Sequence, residues 1–227
     1  MTQVVIAARG GPGCKTRCAG VLGPADREAL TAAMLADMLA AIAACAEVSG
    51  TWVVTPTPGL ANLAESAGAR VVRQTGRAGL NAAFALAVAE VRERAPYEAV
   101  LLLPGDLPGL RSSDLAAAAQ LARAHEVVLA PALDGGTGLL GLRAGVRFAP
   151  TFGPMSFARH AAAAARTRLS LATLVATSLG QDVDRPEDLI RAVEHGVGER
   201  TCALLRQRLG AEGPAVSGEP PALRTDA

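Results

Sequence analysis

Five consecutive apolar residues, Ala99-Val100-Leu101-Leu102-Leu103, end abruptly in Pro104-Gly105-Asp106. A strand with one wet face would alternate, so an unbroken apolar run closed by turn residues marks a central parallel strand covered on both faces. Such a strand requires helices above and below it, and the rest of the chain supplies them. Residues 4–8 read as a strand, 24–46 as a long amphipathic helix, 52–55 as a strand and 60–67 as a helix. Residues 70–72 read as a strand, 79–94 as a helix, 112–125 as a helix opening on hydroxyls and Asp114, and 126–130 as the next strand. An alanine-rich helix follows His160, and a last helix begins at Pro186. The expectation is an α/β fold with a mostly parallel sheet, helices on both faces and right-handed crossovers, Rossmann-like in outline. Ligands of such sheets gather beyond the carboxyl ends of the strands, and the motifs below are expected there.

With 227 residues, half of them apolar, the chain can bury one substantial core. One domain is expected over residues 1–210. Beyond that the Gly, Pro, Ser and Glu content rises and periodicity ends, so residues 211–227 are expected to be a disordered tail. Charge is balanced, with 22 Lys and Arg against 21 Asp and Glu, and only 3% of residues are aromatic. That leaves neither a basic footprint nor a stacking platform, and nucleic acid is excluded as a partner. Cys14, Cys18, Cys45 and Cys202 form no CxxC pair, and the spacing of Cys14 and Cys18 finds no second pair of metal ligands nearby. The start of the chain carries no basic flank and long apolar region, and no apolar segment is long enough to span a bilayer. A reducing cytoplasm is the expected compartment.

Four stations carry chemistry. The first loop holds Gly10, Gly11 and Gly13 with Lys15 and Arg17, a main chain that can approach a nucleotide closely and two cations to offset triphosphate charge. It lacks the GxxxxGK[ST] spacing of a Walker loop, and a tight strand-to-helix connection reads equally well. Asp106 and the pair Asp182 and Asp184 are isolated acidic stations, and magnesium (Mg2+) needs only one or two carboxylates besides phosphate oxygens and water. Their plain alternative is turn and helix-capping duty, which is the better reading for Asp188. Thr137, after Asp134-Gly135-Gly136, and Ser156, after Gly153-Pro154-Met155, offer hydroxyls to a phosphate, with Gly153 leaving room for it to meet the backbone. Arg159 and His160 follow on a helix start; His160 is either a hydrogen-bonded structural histidine or a catalytic one. Asn81 is either a contact to base or ribose or a capping amide. Ser156 lacks the GxSxG elbow of a serine nucleophile. Together these are the parts of a metal-assisted phosphoryl or nucleotidyl transferase.

The runs Cys14-Lys15-Thr16-Arg17, Gly79-Leu80-Asn81-Ala82-Ala83, Gly105-Asp106-Leu107-Pro108, Gly135-Gly136-Thr137, Phe152 through His160, and Asp182-Val183-Asp184-Arg185-Pro186-Glu187-Asp188-Leu189 are together similar to the guanylyltransferases that activate a phosphorylated three-carbon acid for coenzyme F(420). The FGxxSFxRH run is the most restricted of them. The resemblance implies a glycosyltransferase-A-like sheet that binds GTP and Mg2+. The phosphate of 2-phospholactate, phosphoenolpyruvate or 3-phosphoglycerate then attacks the α-phosphorus and pyrophosphate leaves. It implies Thr137, Gly153 and Ser156 for the phospho-acid, Asp106 and Asp184 for the metal, Lys15 and Asp106 as the catalytic pair with Lys15 on the triphosphate, and hand-over of an unstable product to a downstream deazaflavin transferase. A related glycosyltransferase-like family of undefined substrate shares the Pro-Gly-x-Lys-Thr-Arg start, and a catalytically silent nucleotide-binding module is the third reading.

Overall fold

The computed structural model of the protein describes residues 1–74 and 79–209. The tail expected over 211–227 lies outside the described residues. In chain order the elements are β1 (Thr2–Ala7), α1 (Pro24–Ala43), β2 (Val48–Thr55), α2 (Pro58–Ser66), β3 (Arg70–Arg73), α3 (Leu80–Arg94), β4 (Ala99–Pro104), α4 (Ser112–Ala124), β5 (Val127–Pro131), β6 (Thr137–Leu142), α5 (Ser156–Arg166), β7 (Leu171–Thr173), α6 (Thr177–Gly180), α7 (Pro186–His195) and α8 (Glu199–Leu209). The strands form one sheet in the order β3-β2-β1-β4-β6-β5-β7.

Burial explains the sheet's two faces. Val4 and Ile6 of β1, with Leu101 and Leu103 of β4, turn to one side and pack under α1, α2 and α4. Val5 and Ala7, with Val100 and Leu102, turn to the other and meet Phe84, Ala87 and Val91 of α3. The period of two along each strand therefore feeds two cores, which is why β4 shows no polar alternation. A third cluster joins Leu30 and Met34 of α1 to Val183, to Leu189 of α7 and to Leu205 of α8.

The strands expected from apolar runs are present, and their helices agree to within a few residues. β6, β7, α6 and α8 lie outside that expectation, and two differences bear on the frame of the site. β6 runs antiparallel to both β4 and β5, so the sheet is mixed. Because β6 is reversed, Thr137 enters the ligand end of the sheet from the start of its strand, not from a carboxyl end as expected. Gly138, next to it, lies so close to α6 that an added Cβ would stand 1.5 Å from the Leu179 carbonyl oxygen; only glycine lets the strand pass there. The second difference is α8, a helix beyond the one that begins at Pro186.

Candidate active site

The first loop is built from inside. Arg27, buried on α1, donates from its guanidinium to the carbonyls of Cys14 (3.1 Å), Leu22 (3.0 Å) and Pro12 (3.2 Å). Three carbonyls drawn to one planar donor fix the path of the loop, and Lys15 sits on it in the left-handed region at φ 47°. Its side chain is only 10% exposed, and its Nζ lies 2.8 Å from Asp106 Oδ2 and 2.9 Å from Asp184 Oδ1. Asp106 is delivered by Gly105, whose N–H donates to Ala7 O (2.9 Å) and whose Cα approaches β1 so closely that a Cβ would meet Ala8 Cβ at 2.7 Å. Asp184 is delivered by Asp188, which accepts the N–H groups of Asp184 (3.0 Å) and Arg185 (2.8 Å) and so caps α7, the structural duty expected of it. The loop carrying Asp182 and Asp184 is tied to Asp106 through Val183 N–H on Asp106 O (3.2 Å). Residues far apart in sequence thus become one ion triad.

Electrostatics around it are strong. Burial opposes the charge on Lys15, but Asp106 and Asp184 outweigh it and hold the ammonium above the usual lysine range. Burial likewise opposes the Asp184 carboxylate, yet Lys15, Arg17 and Arg185 keep it below the ordinary carboxylate range. Asp182 has no such cation; burial first, then Asp106, Asp134 and Asp184, push its carboxyl up to about 6. Asp106 Oδ1 is buried and has no hydrogen-bond partner. An orphaned carboxylate oxygen beside a neighbour pressed towards its proton is a place short of positive charge, and a divalent cation fits there. Among the described residues no group of three or more His, Cys, Asp or Glu stands ready around one point. Two carboxylates, water and phosphate oxygens are how magnesium is held, so the donor set agrees with that ion.

Facing the triad across a cavity of about 280 Å³ is the second half of the site, with Thr137, Gly153 and Ser156 in its lining alongside Asp106, Asp182 and Asp184. Ser156 opens α5 after Met155 in the left-handed region, and its N–H donates to Gly153 O at 3.0 Å. Ser156 Oγ and Thr137 Oγ1 are 3.0 Å apart, and Thr137 Oγ1 is 3.0 Å from His160 Nδ1. The loop before α5 hangs on side chains. Asn81 accepts Phe152 N–H (2.7 Å) and donates to Phe152 O (3.1 Å), while Thr151 N–H donates to His160 Nε2 at 2.8 Å. Asn81 thereby clips the first turn of α3 to the loop before α5, and the helix start itself has no side-chain cap. A second cavity of about 250 Å³ adjoins, where Ala7, Ala8, Val54, Pro56, Leu80 and Ala83 line it together with Arg9 and Gln74, at the ends of β1 and β2 and the start of α3.

Lys15, Asp106, Thr137, Gly153, Ser156 and Asp184, the six residues given site roles by the resemblance, are therefore brought to one pocket or its edge. Arg27, Asn81, Asp134 and Asp182 complete it. Asp182 and Asp134 carry legible signals, an acidic pair before a helix and an Asp-Gly-Gly turn in which Asp134 Oδ1 accepts Gly136 N–H at 2.7 Å. Arg27 carries none, being one arginine on an amphipathic helix.

Comparison with known proteins agrees with this geometry. The family described as guanylyl transferase CofC like matches residues 2–214. A 3-phospho-D-glycerate guanylyltransferase of Phenylobacterium zucineum is 50% identical over 90% of this chain and 95% of its own. A phosphoenolpyruvate guanylyltransferase of Thermomonospora curvata is 44% identical over 84% of this chain and 82% of its own. Among solved structures, a provisionally assigned nucleotide-diphospho-sugar transferase from Desulfovibrio desulfuricans superposes with a TM-score of 0.74 at 22% identity, over 92% of this chain and 95% of that one, which shows the shared fold. The protein is a nucleotidyltransferase, and the chain belongs to the CofC-like guanylyl transferase family.

Proposed function

We propose that the protein transfers GMP from GTP to the phosphate of a phosphorylated three-carbon acid, releasing pyrophosphate, as a step towards coenzyme F(420). We take 3-phospho-D-glycerate as the first acid to test, because the relative bearing that name shares half its residues with this chain across nearly its whole length. The observation that carries the reading is the two-sided pocket, with an ion triad of Lys15, Asp106 and Asp184 on one wall and paired hydroxyls with a glycine-lined helix start on the other. The first wall suits a triphosphate, the second a small phosphate monoester. The adjoining cavity, apolar walls with Arg9 and Gln74 among them, suits the nucleoside.

In this reading an oxygen of the acid's phosphate forms a bond to the α-phosphorus of GTP, and the bond from that phosphorus to the β-bridging oxygen breaks. The electron pair leaves with pyrophosphate. The nucleophile is already ionised, so the protein's work is orientation and charge neutralisation rather than proton removal. Lys15 presents its ammonium to the triphosphate; Thr137, the backbone at Gly153 and Ser156 hold the acid's phosphate at the positive end of α5. Magnesium bound by Asp106 and Asp184 would neutralise charge on the leaving group. Residues 1–210 act as one domain. Among the described residues no helix is long and apolar enough to cross a membrane, and all four cysteines are free thiols, which suits a reducing cytoplasm. Hand-over of the product to a deazaflavin transferase completes the proposal.

Ser156→Ala tests the division into two walls. Ser156 Oγ holds Thr137 Oγ1 at 3.0 Å, and a neutral hydrogen bond contributes about 0.5–1.5 kcal/mol, so the KM for the phospho-acid should rise roughly two- to tenfold while that for GTP hardly moves. Equal loss for both substrates would put Ser156 in the scaffold, and selective loss for GTP would exchange the two walls.

A further inference from the structure

The hydrogen atoms around His160 can be counted. Thr151 N–H is a donor with no alternative role, and it points at His160 Nε2 from 2.8 Å, so Nε2 carries a lone pair. A neutral imidazole then has its hydrogen on Nδ1, and Nδ1 lies 3.0 Å from Thr137 Oγ1. The ring is fully buried, with Phe152 edge-on at a centroid distance of 5.3 Å and Phe148 at 5.9 Å, so it has no room to turn. Burial first, and Arg159 second, push its pKa down to about 4, which keeps it neutral at working pH.

The direction of that one bond decides what the pocket meets. With Thr137 Oγ1 accepting from Nδ1–H, the two hydroxyls of Thr137 and Ser156 retain two hydrogens and only one bond between them, at 3.0 Å. Among the described residues neither hydroxyl has a further partner, so one O–H is left to point into the pocket. Ser156 is fully buried and Thr137 is 5% exposed, so the free hydrogen is Thr137's, with Ser156 donating behind it. Were Nδ1 an acceptor instead, Thr137 would donate to it, Ser156 would donate to Thr137, and only lone pairs would face the ligand. A phosphate dianion offers acceptors alone and would be repelled by such a wall.

We infer that His160 is a positioning residue for the phospho-acid, a fixed Nδ1–H donor that turns the Thr137 and Ser156 pair into a hydrogen-bond donor aimed at the acid's phosphate. The inference rests on the acid subsite proposed above, and its test separates the two. His160→Asn keeps an amide N–H near the place of Nδ1, whereas His160→Gln puts its amide near Nε2, keeping Thr151 N–H satisfied and losing the donor to Thr137. The acid's KM should stay within a few-fold in His160→Asn and rise tenfold or more in His160→Gln, with the KM for GTP unchanged in both. A structural histidine predicts no such order, and equal acid KM values in the two variants, or equal loss for GTP, would overturn the inference. Nitrogen-15 NMR of the imidazole in the wild-type protein needs no variant: hydrogen on Nδ1 supports the inference, and hydrogen on Nε2 overturns it. Thr137→Val is the control. If it leaves the acid's KM unchanged the subsite reading falls; if it raises that KM and His160→Gln does not, the inference alone falls.

Discussion

Asp106 and His160 are opposite uses of burial. Asp106 keeps one oxygen on Lys15 and one with no partner, a charge held ready for a cation, so Asp106→Asn should reduce turnover by several orders of magnitude while the melting temperature stays near that of the wild type. Near-normal activity at the magnesium concentration that serves the wild type would return Asp106 to being a turn residue. His160 is buried as a neutral base, with a pKa near 4 in the fold against 6.5 in an open chain. Between those values the unfolded chain binds a proton that the folded one does not, so this contribution is intact above pH 6.5 and is lost as pH falls towards 4. The shift corresponds to roughly 3 kcal/mol. Asp182 acts the other way, since its carboxyl, raised to about 6, favours the fold most when protonated. Denaturant titrations from pH 7 to 4 on wild type and His160→Asn isolate the histidine: the difference in stability between the two should shrink as pH falls, and a constant difference would show that His160 titrates normally in the fold.

At the scale of elements, α8 is one that sequence patterning misses. Its buried residues are few, and its arginines break the stripe that marks an amphipathic helix. What seats it is Asp37 of α1, buried, which accepts the N–H groups of Arg200 (3.1 Å) and Thr201 (2.8 Å) at the helix start. An acidic residue in the middle of α1 gives no hint of a partner more than 160 positions away. Asp37→Ala should cost about 1–2 kcal/mol and lower the melting temperature by roughly 2–8 °C, with the KM values for both substrates unchanged. An unchanged melting temperature would mean that α8 is held by Leu205 and its neighbours alone. β6 was hidden for a different reason: its apolar run begins inside the Gly-Gly-Thr turn, and periodicity carries no record of strand direction. β7, three residues long, is too short for any pattern.

For the whole molecule, the parallel core was legible because its strands are buried on both faces and advertise it as unbroken apolar runs, Leu101 to Leu103 most plainly. The site was legible as a set of motifs, since glycine turns, hydroxyls and lone acids have few other reasons to recur at strand ends. How they combine was not, because Lys15 reaches Asp106 and Asp184 across 91 and 169 positions and nothing local to any of them records the pairing. The fold supplies that link by laying β1 beside β4 and tying the loop after α6 to Asp106. The account's central claim is that these walls together transfer GMP to a phosphorylated three-carbon acid. Pyrophosphate release tests it most directly, with pure protein and magnesium given each nucleoside triphosphate against 3-phospho-D-glycerate, phosphoenolpyruvate and 2-phospholactate, and with the deazaflavin acceptor and its transferase present to trap product. Release should depend on GTP and on one of the acids together; release with a sugar phosphate in preference to all three acids would contradict it.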